Sequence, residues 1–372
     1  MNRRQFLAAA TATAGIRTQW RVRGSEGFDA LCFLGPLSGK PLYTRYYQAE
    51  LAEFRRTFAP EAQSALGRVQ KLADDKGWLL APGLCTMLSA APDATLDGVI
   101  QAVREAETRV LPAYQASPYW DRENWNVLLA GRADLLTVLE GMVATDFSAF
   151  CRRFMQPKLE PRVAALSARL ASMDVIAEQE RLIGRALQPG IEIVLLWFSK
   201  PHGTRIQGQR FLSHVDYPDE LTIRIAGHEI LHPPFDMEGP TAKAAIATLE
   251  KDPLIVRILK EHDPAFGYNT VEGILNEDTV QALDQIISER LGVSIPPAKR
   301  WADADDGMHV LAAALYGMLK AEGFDRQGGK IEAWMADAVK TGQLAPTNLH
   351  ASAATVLEVP PDQLWPRKKP AL

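Results

Sequence analysis

One short run of β-branched and aromatic residues stands in a chain whose apolar residues otherwise recur at helical spacing. Residues 191–198 read Ile-Glu-Ile-Val-Leu-Leu-Trp-Phe and lie between a Pro-Gly pair and a Pro-His-Gly segment, which is typical of a buried strand. Residues 204–215 are a second candidate strand, which a turn at 202–203 would let pair with the first. One small sheet among many helices predicts an α+β fold that is predominantly α-helical.

Apolar residues at three-to-four spacing predict helices on both sides of this sheet. The segments with this spacing are residues 43–58, 60–75, 95–110, 121–143, 158–187, 221–232, 240–260, 270–291, 307–319 and 330–339. No internal repeat and no low-complexity linker separates them. We therefore predict a helical lobe at residues 24–189 and a second region, 190–372, that holds the sheet and a helical C-terminal lobe.

The composition excludes several classes of protein. The 372 residues include 41 Lys and Arg against 45 Asp and Glu, a net charge of -4, which is too balanced for the broad basic surface of a nucleic-acid-binding protein. Charged residues and prolines interrupt every apolar stretch before the roughly 18–20 residues that a membrane-spanning helix needs, so we expect no integral membrane segment. Cys32, Cys85 and Cys151 are widely spaced, which indicates neither a Cys-based zinc site nor a disulfide scaffold.

The first residues resemble a twin-arginine export signal. Residues 1–7 read Met-Asn-Arg-Arg-Gln-Phe-Leu, and the Ala-rich stretch that follows ends in Ala-Thr-Ala at 12–14, which suits cleavage after small residues. The resemblance implies a signal segment within residues 1–23 and export of the chain to the periplasm. Without such a signal the chain would stay in the cytoplasm.

A His-Glu-x-x-His motif occupies residues 228–232, within the predicted helix 221–232. On a helix the two histidines lie one turn apart, so both imidazoles can bind one metal ion while Glu229 lies beside it as a general base. Two imidazoles favour zinc or another late transition metal over calcium. A catalytic zinc site takes three protein ligands, so the motif needs a third ligand on another element.

Glu277 is the candidate third ligand. It follows Asn276 near the beginning of the predicted amphipathic helix 270–291. Glu272, in the same segment, is the rival candidate. The two carboxylates are five residues apart and therefore project from different faces of the helix, which favours Glu277.

A His-Glu-x-x-His helix followed by Asn-Glu on a later helix resembles the gluzincin group of zinc metallopeptidases. The resemblance covers about residues 190–295. It implies that His228, His232 and Glu277 bind one zinc ion per chain, that Glu229 activates the attacking water, and that the substrate is a peptide or protein.

Two features depart from the thermolysin-like members of that group. Gln281 stands where those enzymes have an Asp that bonds a zinc-binding His, so we expect Gln281, or Asp284 nearby on the helix, to orient the imidazole. Pro233 and Pro234 follow the motif directly. Proline disfavours helix continuation, so we expect the metal helix to end at His232.

A hydrolytic site of this kind also needs a hydrogen-bond donor for the developing oxyanion. The candidates in this half of the chain are Tyr217, His262, Tyr268 and His309, and spacing singles out none of them.

Two other interpretations stay open at this point. Glu229 and His232 also form half of a di-iron carboxylate motif, for which Asp306 and His309 supply the only analogue of the second half. Alternatively, the chain is an exported helical binding or scaffold protein whose metal site is structural or vestigial.

Overall fold

A computed structural model of the chain describes residues 16–201 and 203–366, apart from the side chains at positions 265 and 303. Most of the candidate export signal and the basic residues 367–369 lie outside the described residues. The described part contains twenty α-helices and one four-stranded sheet, which confirms the predominantly α-helical α+β class. None of these helices combines the length and the hydropathy needed to cross a membrane.

The sheet is built from strands that lie far apart in the sequence. Its members are β1 (Gln19–Gly24), β2 (Gly190–Leu196), β3 (Thr204–Ile206) and β4 (Arg210–His214). The helices before β2 are α1 (Glu26–Leu37), α2 (Pro41–Thr44), α3 (Gln48–Phe54), α4 (Pro60–Asp74), α5 (Leu80–Met87), α6 (Leu96–Arg104), α7 (Ala106–Arg109), α8 (Leu111–Gln115), α9 (Arg122–Ala144), α10 (Phe147–Leu170) and α11 (Val175–Ile183). The helices after β4 are α12 (Asp219–Glu229), α13 (Pro240–Leu249), α14 (Pro253–Glu261), α15 (Val271–Arg290), α16 (Pro297–Asp303), α17 (Val310–Ala321), α18 (Phe324–Gln327), α19 (Ile331–Lys340) and α20 (Pro346–Leu357).

Each predicted helical segment overlaps at least one of these helices, but six helices lie outside all of the segments, namely α1, α5, α8, α16, α18 and α20. In α1, eleven of the twelve residues are buried. A helix that is apolar on all sides has no polar face, and it therefore lacks the alternation from which an amphipathic helix is recognised. The same first half of the chain also contains α5, a mostly apolar helix that the periodicity did not indicate.

The strand order is β1-β2-β4-β3, with β1 and β4 both parallel to β2. Residues 191–198 were expected to pair with a single strand at 204–215 through a turn at 202–203. The 204–215 segment instead forms two strands, and only the second of them, β4, pairs with β2, in parallel. Residues 204–215 fold into an antiparallel β3–β4 hairpin, whose turn contains Gly208 at a φ of 77°, a conformation that glycine adopts without steric cost. β3 is the edge strand of the sheet beside the metal motif.

β1 begins inside the stretch that resembles an export signal. Gln19 pairs with Gly190 and Gly24 with Leu195, so residues 19–23 are part of the sheet. Thr18 extends this connection, since its hydroxyl donates to Asp174 Oδ1 over 2.8 Å. The folded part of the chain thus begins before the boundary at residue 24 that the sequence indicated.

Two hydrophobic cores meet at the end of α12. The first contains residues of α1, of α3 to α10, of part of α11 and α12 and of the inner side of the sheet, and it includes Ile230. The second contains mainly residues from Leu231 to Trp365. The sheet therefore packs with the N-terminal helices, and the His-Glu-x-x-His segment lies at the boundary between the two cores.

Asp29 is a buried carboxylate that fastens α1 to the end of β2. Its side chain accepts hydrogen bonds from the backbone amides of Trp197 and Phe198, each over 2.8 Å. Burial raises the pKa of Asp29 to about 7, although the two amides oppose this shift. The carboxyl group is therefore held mostly protonated in the folded protein over a pH range in which the unfolded chain ionises it.

We predict that Asp29 makes the protein less stable as the pH rises from about 4 to 7. In this window the folded state binds more protons than the unfolded state, so the free energy of unfolding falls by at most about 1.4 kcal/mol per pH unit from this group. Asp29→Asn should remove that component. The check is chemical denaturation of both proteins across this range, and an equal pH dependence of the two would contradict the prediction.

A second prediction concerns the N-terminal strand. Deleting residues 1–15 should leave the melting temperature unchanged, because the sheet stays complete. Deleting residues 1–24 removes β1 and exposes the edge of β2, and it should lower Tm by on the order of 5 °C or more. Calorimetry on the two truncated proteins measures the difference, and equal melting temperatures would show that β1 contributes nothing.

Candidate metal centre

The helix that carries the motif ends earlier than expected. α12 ends at Glu229, with Ile230 as its cap, so His228 lies in its last turn and His232 lies beyond it. The sequence predicted an end at His232. Pro233 and Pro234 explain the difference, because a residue before proline avoids the helical conformation and the prolines offer no amide to the preceding carbonyls.

Arg205 of β3 holds the segment that follows the helix. Its guanidinium Nη1 donates to the carbonyl oxygen of Glu229 over 3.0 Å and also to that of His232. Carbonyl groups at the end of a helix have no helical donor of their own. The side chain of Arg205 therefore supplies donors that a continuing helix would have supplied, and it fixes the main chain between the two histidines.

The two histidines and Glu277 converge on one point. His228 Nε2 lies 3.1 Å from His232 Nε2, and each of these nitrogens lies 3.5 Å from one carboxylate oxygen of Glu277. Donors bound at about 2.1 Å to a tetrahedral ion are separated by about 3.4 Å. These side chains thus form a cluster that can hold a metal ion.

The two acidic candidates on α15 have different surroundings. Glu277 is buried, with 6% of its surface exposed, and it faces α12. Glu272, in the first turn of α15, is exposed to solvent. Their separation of five residues places them on different faces of the helix, as the sequence indicated, and Glu277 is the one that faces the histidines.

A chain of buried charges orients His228. Its Nδ1 lies 2.7 Å from Asp284 Oδ2, and Arg300 in turn binds both carboxylate oxygens of Asp284. Burial alone would raise the pKa of Asp284, but Arg300 and the bond with His228 hold it below its usual range. Asp284 is therefore the ionised partner that turns Nε2 of His228 towards the cluster.

Gln281 has a different role from the one the family pattern implies. Its amide nitrogen donates to Glu277 Oε1 over 2.9 Å, and its amide oxygen accepts from the indole of the buried Trp301 over 2.8 Å. Gln281 therefore orients the carboxylate of Glu277 and not an imidazole. The imidazole of His232 is oriented by Asn276, whose Oδ1 lies 3.3 Å from its Nδ1.

The electrostatics of the cluster favour positive charge between the histidines. Burial alone would lower the pKa of His228, yet Glu277 and Asp284 raise it to about 9. Burial likewise acts to raise the pKa of Glu277, but His228, His232 and His309 hold it below its usual range. The carboxylates thus stabilise a cation at this point, which suits a bound metal ion.

Glu229 lies beside the cluster and borders an open cleft. Its Oε2 accepts a hydrogen bond from the backbone amide of Arg205 over 3.2 Å. Burial is the main cause that raises the pKa of Glu229 to about 7; Glu277 adds to the shift and His228 opposes it. A carboxyl group in this state can both accept and donate a proton near neutral pH.

Three of the four candidate oxyanion donors have other partners. The Tyr217 hydroxyl donates to the carbonyl of Pro201 over 3.0 Å, and His262 Nδ1 lies within hydrogen-bond distance of two carbonyl groups of its own helix. His309 lies between Asp278 and Asp305, at 2.7 and 2.9 Å. The fourth, Tyr268, packs its ring against His309 with the centroids 5.5 Å apart.

The hydroxyl of Tyr268 lies in the field of the metal cluster. Burial raises the pKa of Tyr268 well above its usual value, and the nearby carboxylates Glu277, Asp305 and Glu229 add to this shift. Tyr268 is therefore the one of the four that is both close to the cluster and held as a neutral phenol.

The second half of a di-iron site does not form at Asp306 and His309. Both ring nitrogens of His309 are already bonded to carboxylates, those of Asp278 and Asp305. Within the described part of the chain, the only group of three or more His, Cys, Asp or Glu side chains that could hold a metal ion is His228, His232 and Glu277. The cluster thus offers ligands for a single ion.

The cleft next to Glu229 contains residues that the sequence did not indicate. It has a volume of about 290 Å³ and is lined by Leu79, Pro82, Tyr119, Gly203, Thr204, Arg205, Glu229 and His232. Leu79, Pro82 and Tyr119 belong to the N-terminal helical part of the chain. No motif marks them, because only the fold brings them to the metal centre.

The chain matches no protein-family model, no curated protein and no solved structure. The interpretation of the centre therefore depends on its own residues and their geometry.

We predict that the protein binds about one divalent metal ion per chain and that Glu277→Ala abolishes this binding. The substitution removes one of three ligands and leaves two imidazoles without their carboxylate. Glu272→Ala is the matched control on the same helix and should keep the full metal content. Elemental analysis of the purified proteins measures this, and metal retained by Glu277→Ala would exclude the three-ligand site.

Proposed function

We propose that this chain is a zinc-dependent metallopeptidase. In this proposal His228, His232 and Glu277 hold one zinc ion, and Glu229 is the general base. The single observation that supports it best is the convergence of two imidazole nitrogens and a carboxylate, spaced as in a tetrahedral site, beside a further carboxylate that borders a cleft.

The donor set supports zinc over calcium and magnesium. Two imidazoles and one carboxylate suit zinc, whereas calcium and magnesium prefer oxygen ligands. Three protein ligands leave one coordination position for water or substrate, which is the arrangement of catalytic zinc sites and not of closed structural ones. The bonds of Asp284 and Asn276 to the far nitrogens of the two histidines are the outer partners that such a site needs.

Bound zinc would supply Lewis acidity at the scissile carbonyl. Glu229 would take a proton from the attacking water and deliver it to the leaving amine. A pKa raised to about 7 by burial suits this double role near neutral pH. Arg205 would keep Glu229 in place, since its amide binds the Glu229 carboxylate and its guanidinium binds the Glu229 carbonyl.

At the centre of the edge strand β3, the backbone groups that could pair with an extended substrate are already hydrogen-bonded. The amide of Arg205 is bound to Glu229, and its carbonyl oxygen accepts from the hydroxyl of Thr86 over 3.3 Å. These are the groups that an added strand would need. The substrate would therefore be held mainly by side chains of the cleft.

We also propose export of the chain by the twin-arginine route, on the basis of residues 1–14. Cleavage after residue 14 would keep β1 intact, because that strand begins at Gln19. The proposal is tested by N-terminal sequencing of the protein from periplasmic and cytoplasmic fractions, and a chain found only in the cytoplasm with residues 1–14 intact would contradict it.

We predict that Glu229→Gln lowers kcat for peptide hydrolysis by about 10²- to 10⁴-fold while zinc stays bound, because the amide cannot accept the proton. Glu220→Gln, at an exposed position of the same helix, is the control and should keep wild-type activity. Cleavage of a mixed peptide library followed by mass spectrometry gives the rates. An unchanged rate in Glu229→Gln would exclude the mechanism, and a zinc-loaded wild type that cleaves no peptide would favour the scaffold alternative.

A further inference from the structure

The cleft beside Glu229 combines an apolar wall with polar side chains, and two of these, besides Thr204, Glu229 and His232, come from different parts of the fold. Leu79 and Pro82 form the apolar wall, and Tyr119 and Arg205 are the polar pair. At about 290 Å³ the cleft lies at the lower end of the usual range for ligand sites, roughly 300–1,000 Å³. It therefore suits one end or one side chain of a substrate and not a long segment.

The hydroxyl of Tyr119 is buried and has no hydrogen-bond partner. A buried hydroxyl without a partner is costly, so such groups are usually bonded to protein or water. Burial is the main cause that raises the pKa of Tyr119 to about 12, while Arg205 opposes the shift and Glu229 adds to it. The hydroxyl is thus a neutral donor close to both charged residues of the cleft.

The guanidinium of Arg205 carries a positive charge that no carboxylate neutralises by direct contact. Its hydrogen bonds go to the carbonyl oxygens of Gly208, Glu229 and His232, and no ion pair of Arg205 occurs among the residues that the structure describes. Arg300, in the wall of the same metal centre, is by contrast fully paired with Asp284.

Arg205 and Tyr119 lie side by side. The guanidinium carbon of Arg205 is 5.8 Å from the centre of the Tyr119 ring. Arg205 belongs to the edge strand β3, and Tyr119 to the loop between α8 and α9. The fold thus places a cation and an unsatisfied donor at one small cleft. An anion with several acceptor oxygens would satisfy both.

We propose that Arg205 and Tyr119 bind a carboxylate of the substrate. This inference rests on the proposed function, because the carboxylate belongs to the peptide that Glu229 helps to cleave. The Arg205 guanidinium would supply charge and the Tyr119 hydroxyl a directed hydrogen bond, which together select an anionic group over a neutral one. The carboxylate is either the free C-terminus of the peptide or an Asp or Glu side chain near the scissile bond.

The test uses synthetic octapeptides of one sequence in matched forms. One form has a free C-terminal acid, one has a C-terminal amide, and one has its acidic side chains replaced by amides. Binding is measured by calorimetry on the zinc-loaded Glu229→Gln protein, which separates recognition from turnover. We expect loss of the recognised carboxylate to weaken Kd by about tenfold or more, and the form that weakens identifies its source.

Tyr119→Phe is the decisive second substitution. It removes an oxygen that has no partner, so Tm and zinc content should stay unchanged. In the Glu229→Gln background it should weaken binding of the peptide that carries the recognised carboxylate by about tenfold and leave binding of the form that lacks this carboxylate unchanged. Equal binding of all peptide forms, or equal loss on all of them, would overturn the proposal.

Arg205→Lys tests the cation, with Arg210→Lys as its control. Arg210 lies on the same hairpin and also donates to carbonyl groups, those of Gln207 and Ser89, but it does not line this cleft. In active enzyme Arg205→Lys should raise KM for the carboxylate peptide by about tenfold, whereas Arg210→Lys should not. Because Arg205 also holds the carbonyl groups of Glu229 and His232, a fall in kcat that is equal for every peptide form is expected from Arg205→Lys. A KM that rises equally for every peptide form, or does not rise for the carboxylate peptide, would overturn the proposal.

The two proposals fail in different ways. Selective binding of the carboxylate peptide by Glu229→Gln, with no cleavage by zinc-loaded wild type, would remove the peptidase proposal and keep the carboxylate site. Cleavage by wild type without any preference for the carboxylate forms would do the reverse.

Discussion

The candidate metal centre depends on a helix that ends before the second histidine of the motif. Pro233 and Pro234 stop α12 at Glu229, so the spacing of His228 and His232 is not maintained by helical hydrogen bonds. Arg205 replaces them with bonds from its guanidinium to the carbonyls of Glu229 and His232. A strand residue thereby connects the sheet to the motif, and the position of the second histidine depends on the tertiary contact between β3 and the end of α12.

The buried charges around this segment are arranged in pairs. Asp284 lies between His228 and Arg300, and Glu277 faces both histidines. A buried carboxylate without such a partner would be strongly destabilising. Here Asp284 and Glu277 stabilise positive charge on His228, and they would stabilise a bound cation in the same way, so the interactions that make burial tolerable also suit a metal ion.

The position of the cleft follows from the boundary between the two hydrophobic cores. The N-terminal helices and the sheet form the first core, and α13 to α20 form most of the second. Because α12 ends at their boundary, one side of the cluster is sealed by α15 and the other is open towards Leu79, Pro82 and Tyr119. The N-terminal helical part is thus a wall of the cleft beside Glu229.

The sequence by itself determined the features that depend on local spacing. Helical periodicity and one short β-branched run predicted the α+β class. The one-turn separation in the motif indicated His228 and His232 as ligands, and the helix faces of α15 favoured Glu277 over Glu272. Only the tertiary structure decided the pairing of β1 with β2, the choice of Asp284 over Gln281 as partner of His228, and the presence of Tyr119 at the cleft. The physical reason is that side chains within a few residues are positioned by helix geometry, whereas partners far apart in the chain are selected by packing and by the need to pair buried charge.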